Sequence, residues 1–150
     1  MNVLIAADHR GFYLKERLKP WLVGQGHQVT DCGSATLQPE DDYPLISFDL
    51  AEKTVAAEAD SLAILCCGSG VGALIAANKV GGARCGLGFL PQQVQAAKHD
   101  DNINILALAG DYITETAAQE LVTTFLETPF SDQPRYQRRL DQITDRENLS

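Results

Sequence analysis

The stretch LAILCCGSGVG, residues 62–72, joins an apolar run to a turn that contains three glycines. An unbroken apolar run is typical of a central strand in a parallel sheet, because both of its faces are covered. The glycines end that strand, and Ala73–Lys79 is predicted to form the helix that follows. We therefore predict a central strand at Leu62–Cys67 that leads through a tight turn into a helix, as in α/β folds.

Shorter apolar runs alternate with amphipathic segments along the rest of the chain. This alternation predicts a five-stranded, mostly parallel sheet with helices on both faces, within one domain at residues 1–150. The predicted strands are Val3–Ala7, Gln28–Asp31, Leu62–Cys67, Arg84–Gly88 and Asn104–Leu108. The predicted helices are one marked by Tyr13 to Leu22, Leu45–Ala59, Ala73–Lys79, one opening at Pro91, Thr114–Leu126 and Arg135–Glu147.

The composition limits the classes of partner. The net charge is −8, whereas nucleic acids and anionic membranes bind basic surfaces, so we expect neither as a partner. The four cysteines lack the spacing of a zinc site, and we expect them to be reduced thiols. The first residues lack the features of a signal peptide, and no segment has the ~20 apolar residues of a membrane span. We therefore expect a cytoplasmic protein.

Cys67 stands at the predicted tip of the central strand, directly before Gly68, Gly70 and Gly72. Glycines let backbone N–H groups face a ligand, and the following helix presents its positive end to the same place. The same helix end lowers the pKa of a nearby thiol, so we expect Cys67 to be a thiolate at neutral pH. A base beside anion-stabilising amides suits proton abstraction next to a carbonyl group.

The alternative for this turn is a nucleotide-phosphate loop in which Cys67 only fills space. The spacing GSGVG differs from the GxGxxG of dinucleotide-binding turns. The chain also lacks a Walker-type lysine and an acidic residue that closes a clear second strand. A nucleotide-binding domain is therefore the least favoured of the hypotheses.

Polar residues also follow the first predicted strand, where parallel sheets usually bind their ligands. Asp8 can bind sugar hydroxyls and His9 can meet a phosphate, although a helix N-cap explains Asp8 equally well. Asp41, Asp42 and Tyr43 lie in the long loop after the second strand, where a solvated acidic turn is the alternative.

A basic cluster near the C-terminus is unusual in this acidic chain. Arg135 and Arg139 lie four residues apart and share one helix face, with Arg138 beside them. Two arginines on one face suit a phosphate dianion. The alternative is a solvated face that pairs with Asp132 and Asp141.

Together these segments resemble the ribose-5-phosphate isomerase B and galactose-6-phosphate isomerase family. The resemblance implies a Rossmann-like three-layer sandwich that needs no cofactor and no metal. It also implies a homodimer or tetramer in which the C-terminal helix reaches the partner and each site straddles the subunit interface. The motifs that carry it, in order over nearly the whole chain, are Asp8-His9-x-Gly11, Asp42-Tyr43-Pro44, Cys67-Gly68-Ser69-Gly70-Val71-Gly72, Ala76-Ala77-Asn78-Lys79 and Arg135-x-x-x-Arg139.

The family's reaction is aldose–ketose isomerisation of a sugar phosphate through a cis-enediolate. By resemblance, Cys67 moves the proton between C1 and C2, and Ser69 assists the proton movement between the two oxygens. The small-molecule partner is then ribose 5-phosphate or a related pentose or hexose phosphate. The implied binding groups are Asp8 and Tyr43 for the sugar, the amides of Gly68, Gly70, Val71 and Gly72 for the enediolate, and His9, Arg135 and Arg139 for the phosphate.

Two positions depart from the family pattern. The family has a His-Asn pair after the fourth helix, and its histidine opens the sugar ring. Counted without gaps from Cys67, the pair falls on Asp100 and Asp101, with His99 one residue early, so either His99 or Asp100 takes that role. Asp111 stands where the family often has an arginine, and an aspartate there would repel phosphate. A non-catalytic sugar-phosphate binder, or one subunit of a hetero-oligomeric isomerase, is therefore the alternative function.

Overall fold

Five parallel strands form one sheet in the computed structural model, which describes residues 1–57 and 60–149. They are β1 (Asn2–Ala7), β2 (Gln28–Asp31), β3 (Leu62–Cys67), β4 (Cys85–Leu87) and β5 (Ile105–Ala109). Their order is β2-β1-β3-β5-β4, and all four pairings are parallel. β3 lies at the centre with all of its residues buried, so the prediction from its apolar run is confirmed.

Helices connect the strands and cover both faces of the sheet. The helix predicted at Leu45–Ala59 begins earlier than expected, at Tyr43, because Pro44 suits the first turn of a helix. Its predicted last two residues, 58 and 59, lie outside the described residues. The helices are α1 (Phe12–Gly24), α2 (Tyr43–Ala56), α3 (Val71–Ala77), α4 (Pro91–Asp101), α5 (Glu115–Glu127) and α6 (Pro134–Glu147).

The two faces of the sheet carry separate apolar cores, as a three-layer sandwich requires. Successive residues of a strand point to opposite faces, so Cys66 packs in the core that includes residues of α1, α4 and α5. Cys67 belongs to the other core, with residues of α2 and α3. The neighbouring thiols therefore occupy different surroundings. None of the described helices combines the length and the apolar character that crossing a membrane requires.

The strand register brings the predicted ligand-binding residues to one edge of the sheet. Ala7 is level with Cys66, and Cys67 is level with Ala109. The backbone N–H of Gly110 donates to the carbonyl of Cys67 at 2.7 Å. The residues that follow β1, β3 and β5 consequently meet at the carboxyl edge, where ligands of open α/β sheets bind.

Gly11 allows α1 to start directly against the tip of β3. A Cβ atom at this position would overlap the carbonyl carbon and oxygen of Cys66 and lie 2.7 Å from the nitrogen of Cys67. These neighbours are backbone atoms of the central strand, which cannot move aside without disturbing the sheet. The close approach therefore couples the first helix to the position of Cys67.

We expect Gly11→Ala to lower the free energy of unfolding by about 1–3 kcal/mol, because it overpacks a rigid backbone contact. Gly24→Ala at the end of the same helix is the matched control, since a Cβ there meets no atom of residues 1–57 and 60–149 within 4 Å. It should leave stability unchanged or raise it by about 0.5–1 kcal/mol. Urea unfolding of both variants measures the difference, and equal midpoints would contradict the close contact.

Candidate active site

Cys67 and Asp8 form a buried pair at the carboxyl edge of the sheet. The Cys67 thiol donates to Oδ2 of Asp8 at 3.2 Å, and the two residues are only 6% and 4% exposed. Oδ1 of Asp8 accepts hydrogen bonds from the backbone N–H groups of Arg10 and Gly11, each at 3.0 Å. Gly11, not Asp8, caps α1, so the N-cap interpretation of Asp8 is wrong. The carboxylate is instead fixed by the loop after β1 and turned toward the thiol.

The surroundings of Cys67 act on its pKa in opposite directions. Burial is the largest influence and raises the pKa of the thiol, and the carboxylate of Asp8 raises it further. The backbone amides of Gly70 and Gly68 lower the pKa but do not outweigh these two. The expectation that Cys67 is a thiolate at neutral pH is therefore wrong. The glycine amides are visible in the sequence, whereas burial of the thiol and its contact with Asp8 arise only on folding.

We expect alkylation of Cys67 by iodoacetamide to increase with pH, with a midpoint above the ~8.5 of an unperturbed thiol, because only the thiolate reacts. Asp8→Asn removes a negative charge next to the sulfur and should move the midpoint to lower pH. Peptide mapping by mass spectrometry in a Cys32→Ser background isolates the signal, since Cys32 is partly exposed. A midpoint near neutral pH with Asp8 in place would contradict this prediction and would show that Cys67 is a thiolate at neutral pH.

The glycine turn after Cys67 holds other predicted residues close to the thiol. Gly70 has a φ of 77°, a left-handed conformation that glycine adopts easily. Ser69 is exposed, and its Oγ accepts a hydrogen bond from the N–H of Val71 at 3.3 Å. A Cβ at Gly72 would lie 2.8 Å from Cζ of Tyr43, so the tyrosine ring covers this end of the turn. The structure thus brings Ser69, Tyr43 and the glycine amides together with Cys67.

Asp41 holds His9 at the same edge. Oδ1 of Asp41 lies 2.7 Å from Nδ1 of His9 and also accepts the backbone N–H of His9 at 3.0 Å. Because Nδ1 is engaged, a ligand would meet the ring through Nε2. The interpretation of Asp41 as part of a solvated acidic turn is therefore wrong, since its carboxylate fixes an imidazole. The sequence signal was only the acidic pair before Tyr43.

Arg10 and Asp111 form an ion pair beside the turn. Asp111 therefore does not present an isolated negative charge. The expectation that it repels a phosphate did not include the positive charge of Arg10 beside it. Sequence reasoning missed Arg10, because nothing in the spacing links it to a residue about a hundred positions away in the chain.

A second group of predicted residues surrounds the ring of Tyr136. The His99 ring lies edge-on to it with the centroids 5.9 Å apart, and the guanidinium carbons of Arg135 and Arg139 lie 4.7 and 5.8 Å from its centroid. Nδ1 of His99 lies 2.7 Å from Oδ1 of Asp100, and this contact is the main cause of the lowered pKa of Asp100. Tyr136 was missed, although it sits between the two predicted arginines.

The group around Cys67 and the group around Tyr136 lie at opposite ends of the strands. α4 begins after the carboxyl end of β4 and runs back toward the amino ends of the strands. At 1.5 Å per residue the helix is about 16 Å long, which is also about the length of β5, the strand beside β4. Lys98, beside His99, lines a cavity with Leu62, the first residue of β3, whereas Cys67 is the last. Asp101 ends α4 at the same edge and is exposed. A single chain therefore does not bring His99, Asp100, Asp101, Arg135 or Arg139 to Cys67.

Asn78, from the Ala-Asn-Lys motif, has a structural task. Its side-chain amide donates to the carbonyl of Cys85 at 2.9 Å and accepts the N–H of Cys85 at 2.8 Å. This reciprocal pair fixes the start of β4 against the end of α3. The motif thus supports the sheet beside the site and does not contact the turn through this side chain.

The first group combines chemical functions that suit proton transfer and anion binding. It offers a thiol, a fixed carboxylate, an oriented imidazole, a hydroxyl and turn amides within one edge of the sheet. Within residues 1–57 and 60–149, the His, Cys, Asp and Glu side chains form no group of three or more that could hold a metal ion.

Known proteins share both this sequence and this fold. The Ribose/Galactose Isomerase family model matches residues 3–143. Ribose-5-phosphate isomerase B of Mycolicibacterium paratuberculosis is 41% identical over 147 residues, which cover 98% of this chain and 92% of that protein. The structure of ribose-5-phosphate isomerase B from Mycoplasma genitalium with bound ribulose-5-phosphate is 35% identical, with a TM-score of 0.93 over 99% of this chain and 97% of that chain.

A further solved structure gives the same result. The ribose 5-phosphate isomerase of Thermotoga maritima is 38% identical and has a TM-score of 0.90, covering 96% of this chain and 97% of that chain. The family match spans the central strand, the glycine turn and both arginines of α6. The resemblance drawn from the motifs is thereby confirmed, and the chain belongs to the Ribose/Galactose Isomerase family.

Proposed function

We propose that the chain is an aldose–ketose isomerase that interconverts ribose 5-phosphate and ribulose 5-phosphate, or a related pair of pentose or hexose phosphates. The observation that carries the proposal is the Cys67–Asp8 pair beside the amides of the glycine turn. Relatives named ribose-5-phosphate isomerase B, one of them solved with ribulose-5-phosphate bound, support this choice of substrate.

In the proposed reaction, Cys67 is the base. Asp8 already accepts the hydrogen bond of the thiol and is positioned to receive its proton when the substrate binds. The thiolate takes the proton from C2 of the open-chain aldose, and the electron pair of that bond forms the C1–C2 double bond of an enediolate. The amides of Gly68, Gly70, Val71 and Gly72 stabilise the negative oxygen. Ser69 assists the proton movement from O2 to O1, and Cys67 returns its proton to C1.

We assign the sugar contacts to Asp8 and Tyr43, and the phosphate contacts to His9 together with Arg135 and Arg139. His9 supports this assignment because Asp41 orients its ring at the edge where Cys67 lies. An arginine pair supplies the parallel donors that a phosphate dianion accepts.

We further propose that each site combines residues of two subunits in a homodimer, or in a tetramer built from such dimers. The basis is the separation of the two groups, since α4 and α6 hold their side chains at the edge away from Cys67. A second copy would supply Arg135 and Arg139, with His99 or Asp100 to open the sugar ring and Asp101 beside them. α6 would then be the helix that reaches the partner.

An apolar surface beside the glycine turn supports assembly. It lies on α2, on α3 and just after β4, and α3 packs against both of its neighbours. Large exposed apolar side chains on neighbouring elements are typical of surfaces that another protein covers. The side chains are Leu45, Val71, Ile75, Phe89 and Leu90, which are 47–71% exposed.

The test is an assay of the purified chain alone with a panel of aldose 5- and 6-phosphates, in which the ketose product is measured. We expect turnover of at least one of them, with ribose 5-phosphate the first choice. A parallel preparation of Cys67→Ala controls for contaminating isomerases. If the sugar phosphates raise the melting temperature but no ketose forms, the chain is a non-catalytic binder or needs a different partner subunit, and the proposal fails.

A further inference from the structure

We propose that Arg10 is a substrate-binding residue that contacts the phosphate of the sugar phosphate, and that Asp111 positions it. The proposal rests on the isomerase function proposed above and adds a residue of the same chain to its phosphate site. It starts from the ion pair that Arg10 makes with Asp111 across the tip of the central strand.

The pair lies directly on the glycine turn. A Cβ atom at Gly68 would be 2.6 Å from Nε and 2.7 Å from Cζ of Arg10, and 2.9 Å from Oδ2 of Asp111. The strand order places β3 between β1 and β5, so Arg10 reaches from the end of β1 over Cys67 and Gly68 to the residues after β5. A side chain at position 68 would displace the ends of both Arg10 and Asp111 from this arrangement.

Both residues are also tied to the site through their backbones. The N–H of Arg10 donates to Oδ1 of Asp8, whose other oxygen accepts the Cys67 thiol. The N–H of Asp111 donates to the carbonyl of Gly68 at 3.1 Å. The two loops that carry the ion pair are therefore fixed beside the reaction centre, and the ion pair with Asp111 restrains the guanidinium there.

The depth of the groups indicates which part of the substrate Arg10 meets. Cys67 is 6% exposed and forms the floor of the site, whereas the Arg10 side chain is 55% exposed and lies at the rim. The reacting carbons C1 and C2 must lie at the floor. The phosphate, several bonds away at the other end of the sugar, then lies toward the rim, where a cation stabilises its charge.

Asp111 does not use up the capacity of Arg10. A guanidinium has five N–H donors, and the carboxylate of Asp111 contacts the Nη2 group. The remaining donors stay available for a phosphate oxygen, while the ion pair restricts the side chain to one orientation. Because the pair is neutral as a whole, Asp111 acts as a tether for Arg10 and its charge is not presented alone to the substrate.

The competing explanation is an ordinary surface ion pair, which usually adds little to stability. The chain offers a matched control, because Arg17 of α1 pairs with Glu115 of α5 at 3.1 Å with similarly exposed side chains. That pair joins α1 and α5, and among the described residues the side chains nearest to a Cβ at Gly68 are those of Arg10 and Asp111, not Arg17 or Glu115. Arg17→Gln therefore removes a comparable ion pair without removing the proposed contact.

The experiment compares Arg10→Gln, Asp111→Ala, the double variant and Arg17→Gln by steady-state kinetics and by competitive inhibition with inorganic phosphate. We expect Arg10→Gln to raise KM and the phosphate inhibition constant about tenfold or more, with kcat changed much less, because a charge-assisted hydrogen bond is lost. Asp111→Ala should raise KM less and have no further effect when Arg10 is already replaced. Arg17→Gln should behave as the unsubstituted enzyme.

If the unsubstituted enzyme is active, two results would overturn the role of Arg10. In the first, Arg10→Gln has the same KM and the same phosphate inhibition constant as Arg17→Gln. In the second, Arg10→Gln lowers kcat and leaves KM unchanged. If Asp111→Ala lowers KM in both backgrounds, Asp111 repels the substrate directly and the tether is wrong. If the unsubstituted chain shows no isomerisation, the proposed function fails by itself. Calorimetric titration with inorganic phosphate then still decides whether Arg10 binds the anion.

Discussion

We expect Cys67→Ala to lower kcat for sugar-phosphate isomerisation about a thousandfold, while the protein keeps its fold. A positioned general base contributes about 10²–10⁴ to the rate, and alanine leaves no group that can take its place. Circular dichroism and the melting temperature establish that the variant is folded, and a coupled assay for the ketose gives its rate.

Cys66→Ala is the control for this prediction. Cys66 is the preceding residue of β3, but its side chain packs in the other core and is fully buried. Its removal should cost some stability through the cavity it leaves, with kcat close to that of the unsubstituted enzyme. A Cys67→Ala enzyme within tenfold of the original rate, or a Cys66→Ala enzyme that is equally inactive, would show that the base is assigned incorrectly.

At a substrate concentration well below KM, where loss of a phosphate contact slows turnover, a mixture of Cys67→Ala and Arg139→Ala should be more active than either variant alone. If each site takes Cys67 from one subunit and Arg139 from the other, a mixed dimer has one intact site and one site that lacks both groups. Random reassortment of the subunits then gives about a quarter of the original rate, because half of the dimers are mixed and half of their sites are intact. The mixture is refolded together, and the rate is compared with that of each parent.

Cys67→Ala mixed with Asp8→Ala is the negative control for subunit mixing. Both residues belong to the group at the carboxyl edge of one chain, so every site of that mixed dimer lacks one of them. This mixture should stay inactive. The composition of the mixed dimers is checked by native mass spectrometry. Verified mixed dimers of Cys67→Ala and Arg139→Ala that are no more active than either variant alone would contradict a site shared between subunits.

The fold was largely predictable because its strands differ sharply in composition from its helices. The bounds of β2 and β3 agree with the prediction, and Pro91 opens α4 as expected. α2 was predicted too late, because Pro44 was assigned to the preceding loop although proline also suits the first turn of a helix. The pairing of β5 with both β3 and β4 depends on long-range packing that local patterns do not report.

The candidate site was predictable where one motif carries several groups, as in the turn that begins at Cys67. Arg10, which was missed, and Asp41, whose role was misjudged, act through partners distant in sequence. Arg10 meets Asp111, Asp41 meets His9, and neither pair has a characteristic spacing. The pKa of Cys67 was misjudged for the same reason, since burial and the carboxylate of Asp8 arise only in the folded chain.

The most direct measurement follows the C2 proton of ribose 5-phosphate by NMR in D₂O, with the unsubstituted enzyme and with Cys67→Ala. If a sulfur held against a carboxylate and turn amides removes this proton, the unsubstituted enzyme exchanges it for deuterium as the ketose forms, and the variant leaves the signal intact. Loss of the C2 proton at equal rates in both proteins would contradict the assignment of the base and the mechanism built on it.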